Sequence, residues 1–182
     1  MDYRPFYSKL FRPVEEAFGR IDSHTMMAIV GFDGGGPLSF CTVGREAKQD
    51  FVTYVSCELA VRDEQVPSNF GRFELLCHSN DEAWVRTVLT KIGQMSLEAE
   101  FGHGHTVDVS EIVGPATCLS GVALERFATV DIDSTEYCLL RVHGISSGEM
   151  QFAMAEDCDA LFERLKKSGV YPNTDSRRMS IL

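Results

Sequence analysis

Hydrophobic residues recur at steps of three and four along the N-terminal segment, which places them on one face of a helix. These residues are Phe6, Leu10, Val14, Phe18 and Ile21. Pro13 interrupts the pattern. Because proline lacks an N–H group and fits the first turn of a helix, Pro13 is predicted to open a second helical piece. The pattern therefore predicts a helical segment over residues 1–25.

Short runs of β-branched, aromatic and alternating apolar residues predict strands further along the chain. The run DFVTYVSCELAV has such residues on both faces, which is typical of a central strand. The runs MMAIVGF and PLSFCTVG flank the glycine-rich turn DGGGP and are predicted to form a hairpin. The tail DSRRMSIL offers a further short strand. The predicted strands lie near Ala28, Leu38, Thr53, Leu75, Val107, Leu124 and Leu140.

Two S-x-x-E patterns predict helix starts, because the serine and glutamate can cap each other's backbone N–H groups. The pair Ser79 and Glu82 predicts a helix from about Asn80 to about Ala99. Its apolar stripe is predicted to be buried against the sheet. The stripe consists of Trp84, Val88, Leu89 and Ile92.

The second S-x-x-E pattern, at Ser146 and Glu149, predicts a C-terminal helix that ends near Gly169. Strands in clusters, split by one long helix and ended by helical segments, indicate an α+β fold. A mostly antiparallel or mixed sheet is expected to pack against these helices. A chain of 182 residues, 44% of them hydrophobic, is predicted to be a single domain over 1–182.

Charge and composition narrow the possible partners. The chain has 27 acidic and 17 basic residues, a net charge of −10, which opposes binding to nucleic acid or to anionic membranes. A basic protein partner suits this charge better. With neither a secretion signal nor a long apolar stretch in the sequence, a cytoplasmic location is expected.

The stretch FGHGHTVDV places His103 and His105 two residues apart. On a strand both could face one metal ion, but a site also needs further ligands, and none follows at ligand spacing. The alternative is a tight turn made by Gly102 and Gly104, with the histidines exposed or capping the preceding helix. The turn is the interpretation favoured here, and no metal, cofactor or catalytic residue is predicted.

The six cysteines stand far apart in apolar runs and form no C-x-x-C pair. They are therefore predicted to be reduced, buried thiols. A metal- or thiol-dependent hydrolase that uses His103, His105 and a cysteine remains the alternative function. The cysteines are Cys41, Cys57, Cys77, Cys118, Cys138 and Cys158.

Acidic residues cluster in predicted loops, where they form either a solvated face or a surface that steers a cationic protein. The candidate partner-binding residues are Asp63, Glu64, Asp131 and Asp133. The basic pair Arg177 and Arg178 suggests a local salt bridge or a partner contact.

The order of these stretches resembles the Suppressor of fused domain, most closely over residues 50–182, in the form of its single-domain bacterial members. The likeness includes a tyrosine-to-leucine strand, an F-E-L strand before a tryptophan-bearing helix, a glycine-histidine turn and an arginine-x-serine end. Val55 and Cys57 depart from the glycine and serine of the family's first strand. The matching residues are Tyr54, Glu58, Leu59, Phe73, Glu74, Leu75, Trp84, Gly104, His105, Arg178 and Ser180.

The resemblance implies a binding module without catalytic residues. Its animal relative is a negative regulator that clamps an extended peptide by strand addition, and bacterial relatives are suspected immunity proteins. An immunity-type inhibitor or a sequestering regulator is therefore expected, with a basic toxin domain or an extended peptide as the partner. The GHTVDV stretch is expected to be a structural turn and strand.

Overall fold

The computed structural model describes residues 3–22, 30–43, 50–114 and 117–182. In these residues, six strands form one sheet in the order β1-β2-β3-β6-β5-β4. The β3–β6 pairing is parallel, and the other four pairings are antiparallel. The strands are β1 (Phe40–Val43), β2 (Val52–Ser56), β3 (Arg72–Ser79), β4 (Thr106–Asp108), β5 (Gly121–Ile132) and β6 (Thr135–Ile145).

Helices cover both faces of the sheet, so the described residues form three layers. α3 packs on one face, while α1 and α2, and separately α4 and α5, pack on the other. The α+β class and the mostly antiparallel sheet predicted from the sequence are confirmed. None of the helices described is long and apolar enough to cross a membrane. The helices are α1 (Arg4–Leu10), α2 (Arg12–Phe18), α3 (Glu82–Met95), α4 (Ser147–Ala155) and α5 (Cys158–Lys167).

The predicted apolar stripe of α3 is buried. Val88, Leu89 and Ile92 are fully buried and Trp84 is 6% exposed, all within the core against the sheet. The prediction of a capping box at the start of this helix is wrong. Asp81 is the N-cap and accepts a hydrogen bond from the Trp84 N–H.

The N-terminal segment forms two short helices that meet at Phe11. Pro13 lies in the first turn of α2, as expected for a residue that lacks an N–H to donate. Leu10 and Val14 from the predicted helix face are fully buried. They pack on the face of the sheet opposite to α3.

The predicted strand near Ala28 lies mostly outside the described residues. Its end differs from the prediction, because Phe32–Gly34 is a 3-10 helix. The strand near Leu38 is confirmed as β1, which pairs along its length with β2. β2 lies between β1 and β3, as predicted for a central strand.

The C-terminal region differs from the single helix and strand that the pattern predicts. The capping box at Ser146 and Glu149 is present. However, the chain forms two helices, because Asp157 caps a new one through the Ala160 N–H. Residues 173–182 form no strand and pack against the starts of α3 and α4 through hydrogen bonds.

Candidate functional site

The two histidines of the FGHGHTVDV stretch lie at a turn that leads into β4. Gly104 has a positive φ of 86°, and its N–H donates to the Leu124 carbonyl at 2.8 Å. The His103 ring bridges two elements: Nδ1 accepts from the Arg126 N–H at 3.1 Å, and Nε2 lies 3.0 Å from Asp159 Oδ1. His105 is exposed. His103 therefore has a structural role in holding the turn against β5 and α5.

The cysteine nearest to this turn carries a thiol that is not activated for nucleophilic attack. Cys158 Sγ donates to the Gly104 carbonyl at 3.1 Å, and burial raises its pKa to about 11. A nucleophilic cysteine needs a lowered pKa. No group of three or more metal-binding side chains occurs in the described parts of the chain.

The prediction that all six cysteines are buried is wrong at Cys118 and holds only in part at Cys57. Cys118 is exposed, whereas Cys41, Cys77, Cys138 and Cys158 are buried and Cys57 is half-buried. Cys118 lies in the loop between β4 and β5, outside the elements that form the core. All six are free thiols.

β4 is an edge strand with an open side. Hydrogen bonds from the Val109 N–H to Ser120 and from the Leu124 N–H to His105 fix which backbone groups face β5. By the alternation of antiparallel pairing, the N–H and C=O groups of Thr106 and Asp108 point away from β5. Among the described residues, these outward groups have no hydrogen-bond partner.

The opposite edge of the sheet, at β1, is partly covered by the chain itself. The Asp22 N–H donates to the Thr42 carbonyl at 2.7 Å, and Ile21 forms a β-bridge with Val43. Unpaired edges accept further strands readily. Of the two edges, β4 therefore leaves more of its backbone available to a partner.

The four acidic candidates from the sequence lie toward a different part of the sheet. Asp131 and Asp133 are at the β5–β6 turn, where Asp131 pairs with Glu136 across the hairpin. Asp63 forms a salt bridge of 2.8 Å with Arg72, the residue that pairs with Tyr137 next to Glu136. The structure therefore brings these acidic residues to one end of the sheet.

Two of the acidic side chains are already partly neutralised. Asp63 is paired with Arg72, and Asp133 with Lys9 at 3.0 Å. Asp131 accepts a hydrogen bond from the Ser134 N–H. Since Asp131 is eight to ten residues along β5 from the β4 pairing, about 30 Å at 3.3 Å per residue, the acidic end and the β4 edge are separate surfaces.

Sequence patterns gave no sign of a buried polar cluster on the face opposite α3. Glu125 Oε2 lies 3.1 Å from Arg141 Nη1 and 2.8 Å from His143 Nε2, and the Tyr171 hydroxyl donates to the same oxygen at 3.0 Å. Burial alone would raise the pKa of Glu125, but His143 and Arg141 lower it to about 2. Arg141 also lies over the ring of Phe127, where β5 has a bulge.

A second buried carboxylate, Glu74, lies between the sheet and α1. It accepts hydrogen bonds from Ser56 Oγ at 2.5 Å, the Tyr7 hydroxyl at 2.9 Å and the Ala60 N–H at 2.9 Å. Burial raises its pKa to about 7 despite these donors. Glu74 thus ties α1 and the loop after β2 to β3, and its environment is closed rather than open to a ligand.

These elements define a three-layer α+β protein with an open strand edge and, among its described residues, no assembled catalytic group. The chain belongs to the Suppressor of fused family, because residues 34–179 match the family described as Suppressor of fused protein (SUFU). No curated protein matches the chain.

Solved structures of the family share the fold. The chain matches a Sufu–Fu complex crystal structure with a TM-score of 0.70 and 15% identity, covering 97% of this chain and 91% of that one. It matches Drosophila Suppressor of Fused at 0.71 and 15%, over 96% of this chain and 50% of that one. A putative SUFU homologue from Neisseria gonorrhoeae matches at 0.65 and 14%, over 98% and 97%.

The resemblance inferred from the sequence is therefore confirmed. This chain corresponds to half of the Drosophila protein and to nearly all of the Neisseria homologue. At 14–15% identity, these structures support the fold and leave the partner of this protein to be inferred from its own surface.

Proposed function

We propose that this protein is a non-catalytic binding module that holds an extended segment of a protein partner at the edge of β4. The observation that carries the proposal is the outward row of unpaired backbone groups at Thr106 and Asp108. An added strand would satisfy these groups, with backbone bonds providing affinity and side-chain contacts providing specificity. One relative was crystallised as a Sufu–Fu complex, which supports a protein partner for this chain too.

The biological role proposed is that of an immunity-type inhibitor or a sequestering regulator. Both roles need tight binding without chemistry, and the buried, raised-pKa thiol of Cys158 suits neither a nucleophile nor a metal ligand. Co-purification from cells that express the tagged protein identifies the partner. Recovery of the C-terminal domain of a toxin encoded by a neighbouring gene would support immunity, and recovery of a cytoplasmic regulator would support sequestration.

Replacing Thr106 with proline is expected to weaken partner binding by about tenfold or more, equivalent to about 1.4 kcal/mol. Proline removes the outward N–H on which an added strand depends, but no bond to β5 is lost, since edge strands tolerate proline at such positions. Titration calorimetry with the co-purified partner measures the effect.

Thr106→Val is the matched control, because it keeps the N–H and the β-branched shape. It is expected to bind like the wild type. Thermal melts of both variants exclude a loss of folding as the cause. Equal affinity of a folded Thr106→Pro protein and the wild type would reject the β4 edge as the binding site.

We also propose that the acidic end of the sheet attracts a basic partner before docking. The double variant Asp63→Lys and Glu64→Lys is expected to slow association by about tenfold at low salt, since steering depends on complementary charge. Asp131→Asn and Asp133→Asn should add to the effect, and asparagine suits the positive φ of residue 133. Stopped-flow association rates at several salt concentrations provide the measurement.

The control for this experiment is Glu156→Lys with Glu163→Lys, which makes the same charge change on the C-terminal helices. This control variant is expected to slow association much less than the variant at the acidic end. If both double variants slow association equally, the net charge of −10 is responsible. The acidic end would then have no special role.

A further inference from the structure

Two ionisable side chains on β3, Glu74 and His78, are fully buried beneath the N-terminal helices. They lie an even number of residues apart on the strand, so they face the same side of the sheet. The Tyr7 hydroxyl of α1 donates to Glu74 at 2.9 Å. The ring of Phe18, where α2 ends, packs on the ring of His78 with the centroids 4.4 Å apart. Each N-terminal helix therefore covers one of the two groups.

The surroundings of Glu74 favour a carboxyl group that keeps its proton. Its hydrogen-bond partners are the Ser56 hydroxyl, the Tyr7 hydroxyl and the Ala60 N–H, and all three are uncharged. A carboxylate buried without a cation is costly, so such a group takes up a proton instead. Burial accordingly raises the pKa of Glu74 to about 7.

The ionisable groups beside Glu74 supply no positive charge. Burial and Glu74 raise the pKa of Tyr7. A hydrogen bond with Cys41, together with burial, raises the pKa of Cys57. Both side chains are therefore uncharged at neutral and acidic pH. The Glu58 carboxylate, which raises the pKa of both, adds only negative charge to the region.

The surroundings of His78 favour a neutral ring. Nδ1 lies 2.9 Å from Thr53 Oγ1, and Nε2 is buried with no hydrogen-bond partner among the described residues. The rings of Phe18 and Phe51 enclose the imidazole, with centroids 4.4 and 5.0 Å from it. A proton on this ring would place a charge among apolar groups, which is costly.

The charged groups near His78 come from β6 and also oppose its protonation. Arg141 lies near the same Phe18 ring, 5.9 Å from its centroid. Glu125, the carboxylate on this part of the sheet, is paired with Arg141 and His143 at 3.1 and 2.8 Å. Burial, Arg141 and His143 together lower the pKa of His78 to about 2.

We propose that the N-terminal helices dock on the sheet through opposite proton requirements of this pair. Docking requires Glu74 with a proton and His78 without one, whereas both groups are ionised in the unfolded chain between about pH 4.5 and 6.5. Folding therefore adds a proton at Glu74 and removes one at His78. The two effects cancel, so the pair holds α1 and α2 equally well across this pH range.

Each group alone would make the stability depend on pH. The stabilisation from Glu74, whose pKa is raised on folding, is complete below the unfolded value of about 4.3 and is lost as the pH rises toward 7. His78 acts in the opposite direction, because its lowered pKa costs stability as the pH falls below the unfolded value of about 6.5. Each effect changes the unfolding equilibrium constant by about tenfold per pH unit.

Single variants should separate the two effects. Glu74→Gln keeps the shape of the side chain but cannot take up a proton. The ratio of its unfolding constant to that of the wild type is expected to rise about tenfold from pH 6 to pH 5. His78→Phe keeps a ring beside Phe18 and Phe51, and its ratio is expected to fall about tenfold. Urea unfolding followed by circular dichroism measures both.

The double variant Glu74→Gln with His78→Phe should regain the pH dependence of the wild type. Glu98→Gln and His105→Gln are the matched controls, because they remove the same kinds of group at exposed positions. Their ratios should not change with pH. The contribution of His143 is common to all these proteins and cancels in each ratio. A constant ratio in either Glu74→Gln or His78→Phe would overturn the proposal.

Hydrogen exchange followed by mass spectrometry tests whether α1 and α2 cover the pair. In Glu74→Gln, the protection of these helices relative to the wild type, corrected for the intrinsic rate, is expected to fall about tenfold from pH 6 to pH 5. Unchanged protection of α1 and α2 would mean that they open without exposing the pair, and would overturn the role in docking.

The wild type offers a test that does not depend on the folding of a variant. At pH 6, the infrared spectrum of the folded protein should contain the C=O band of a protonated carboxyl group, and this band should disappear on thermal unfolding. Nuclear magnetic resonance should show a neutral His78 ring in the folded protein at pH 5. Absence of the infrared band, or a protonated His78 ring at pH 5, would overturn the proposal.

Discussion

Replacing Val88 with aspartate is expected to lower the free energy of unfolding by about 4 kcal/mol, a large part of the roughly 5–15 kcal/mol that stabilises a typical domain. Val88 is fully buried in the core between α3 and the sheet. An aspartate there would place a carboxylate among apolar side chains with no cation to pair with it. Urea unfolding followed by circular dichroism measures the loss.

Thr87→Asp is the matched control, because it adds the same charge to the neighbouring residue of α3. Thr87 is exposed, so the expected change is within about 0.5 kcal/mol. A Val88→Asp protein that unfolds at the wild-type urea concentration would mean that α3 presents a different face to the sheet.

The buried stripe of α3 could be predicted because the spacing of apolar residues along the helix is a local signal. The position of the helix cap could not be predicted, because the Ser79 hydroxyl forms a hydrogen bond with a residue far away in the sequence. Ser79 Oγ donates to the Thr174 carbonyl, 95 residues away, at 2.6 Å, and Asp81 caps the helix in its place. An S-x-x-E pattern is local, so it cannot indicate that the serine is already engaged.

The same limit applies to the sheet. Each strand run could be recognised locally, but the order β1-β2-β3-β6-β5-β4 depends on pairings such as the parallel one between β3 and β6, which join residues far apart in sequence. The open β4 edge follows from that order and could not be located from the sequence. The turn at Gly104 could, because its positive φ favours glycine.

The sequence could predict only part of the arrangement of the acidic residues. The hairpin placing Asp131 beside Asp133 is local, but their position near Asp63 depends on Arg72 pairing with Tyr137. Whether Arg177 and Arg178 form salt bridges or contact a partner was left open by the sequence. The fold distinguishes the two residues, because Arg178 is partly buried and Arg177 is exposed.

Buried charges on the face of the sheet opposite α3 are held by specific partners. Glu125 has Arg141, His143 and Tyr171, and Glu149 has Arg178. Such groups tie distant segments together, because each is costly to bury alone. The arginine-x-serine end of the family pattern has the same role, because its contacts hold the C-terminal tail against the start of α4.

The Arg178→Ala variant is expected to lose about 3–5 kcal/mol of stability at pH 7, because breaking a buried ion pair leaves one charge without a partner. The Glu149 side chain is fully buried, and its Oε1 and Oε2 lie 2.6 Å from Nη1 and Nη2 of Arg178. Arg177→Ala, at the adjacent exposed residue, should cost no more than about 0.5 kcal/mol.

The pH dependence of unfolding distinguishes this mechanism from a simple loss of packing. Burial opposes ionisation of Glu149, but Arg178 and backbone N–H groups lower its pKa in the wild type. The stabilisation that ionised Glu149 provides is therefore present at neutral pH. It is lost as the pH falls below about 4.3, the pKa of a glutamate in the unfolded chain. Without Arg178, burial should raise the pKa of Glu149 instead. The stability of Arg178→Ala should then fall as the pH rises from about 4 to 7, so its deficit is larger at pH 7 than at pH 4. A deficit below about 1 kcal/mol, or one equal at both pH values, would mean that the other bonds of the tail, such as Ser146 to Ser180 at 2.9 Å, hold it in place.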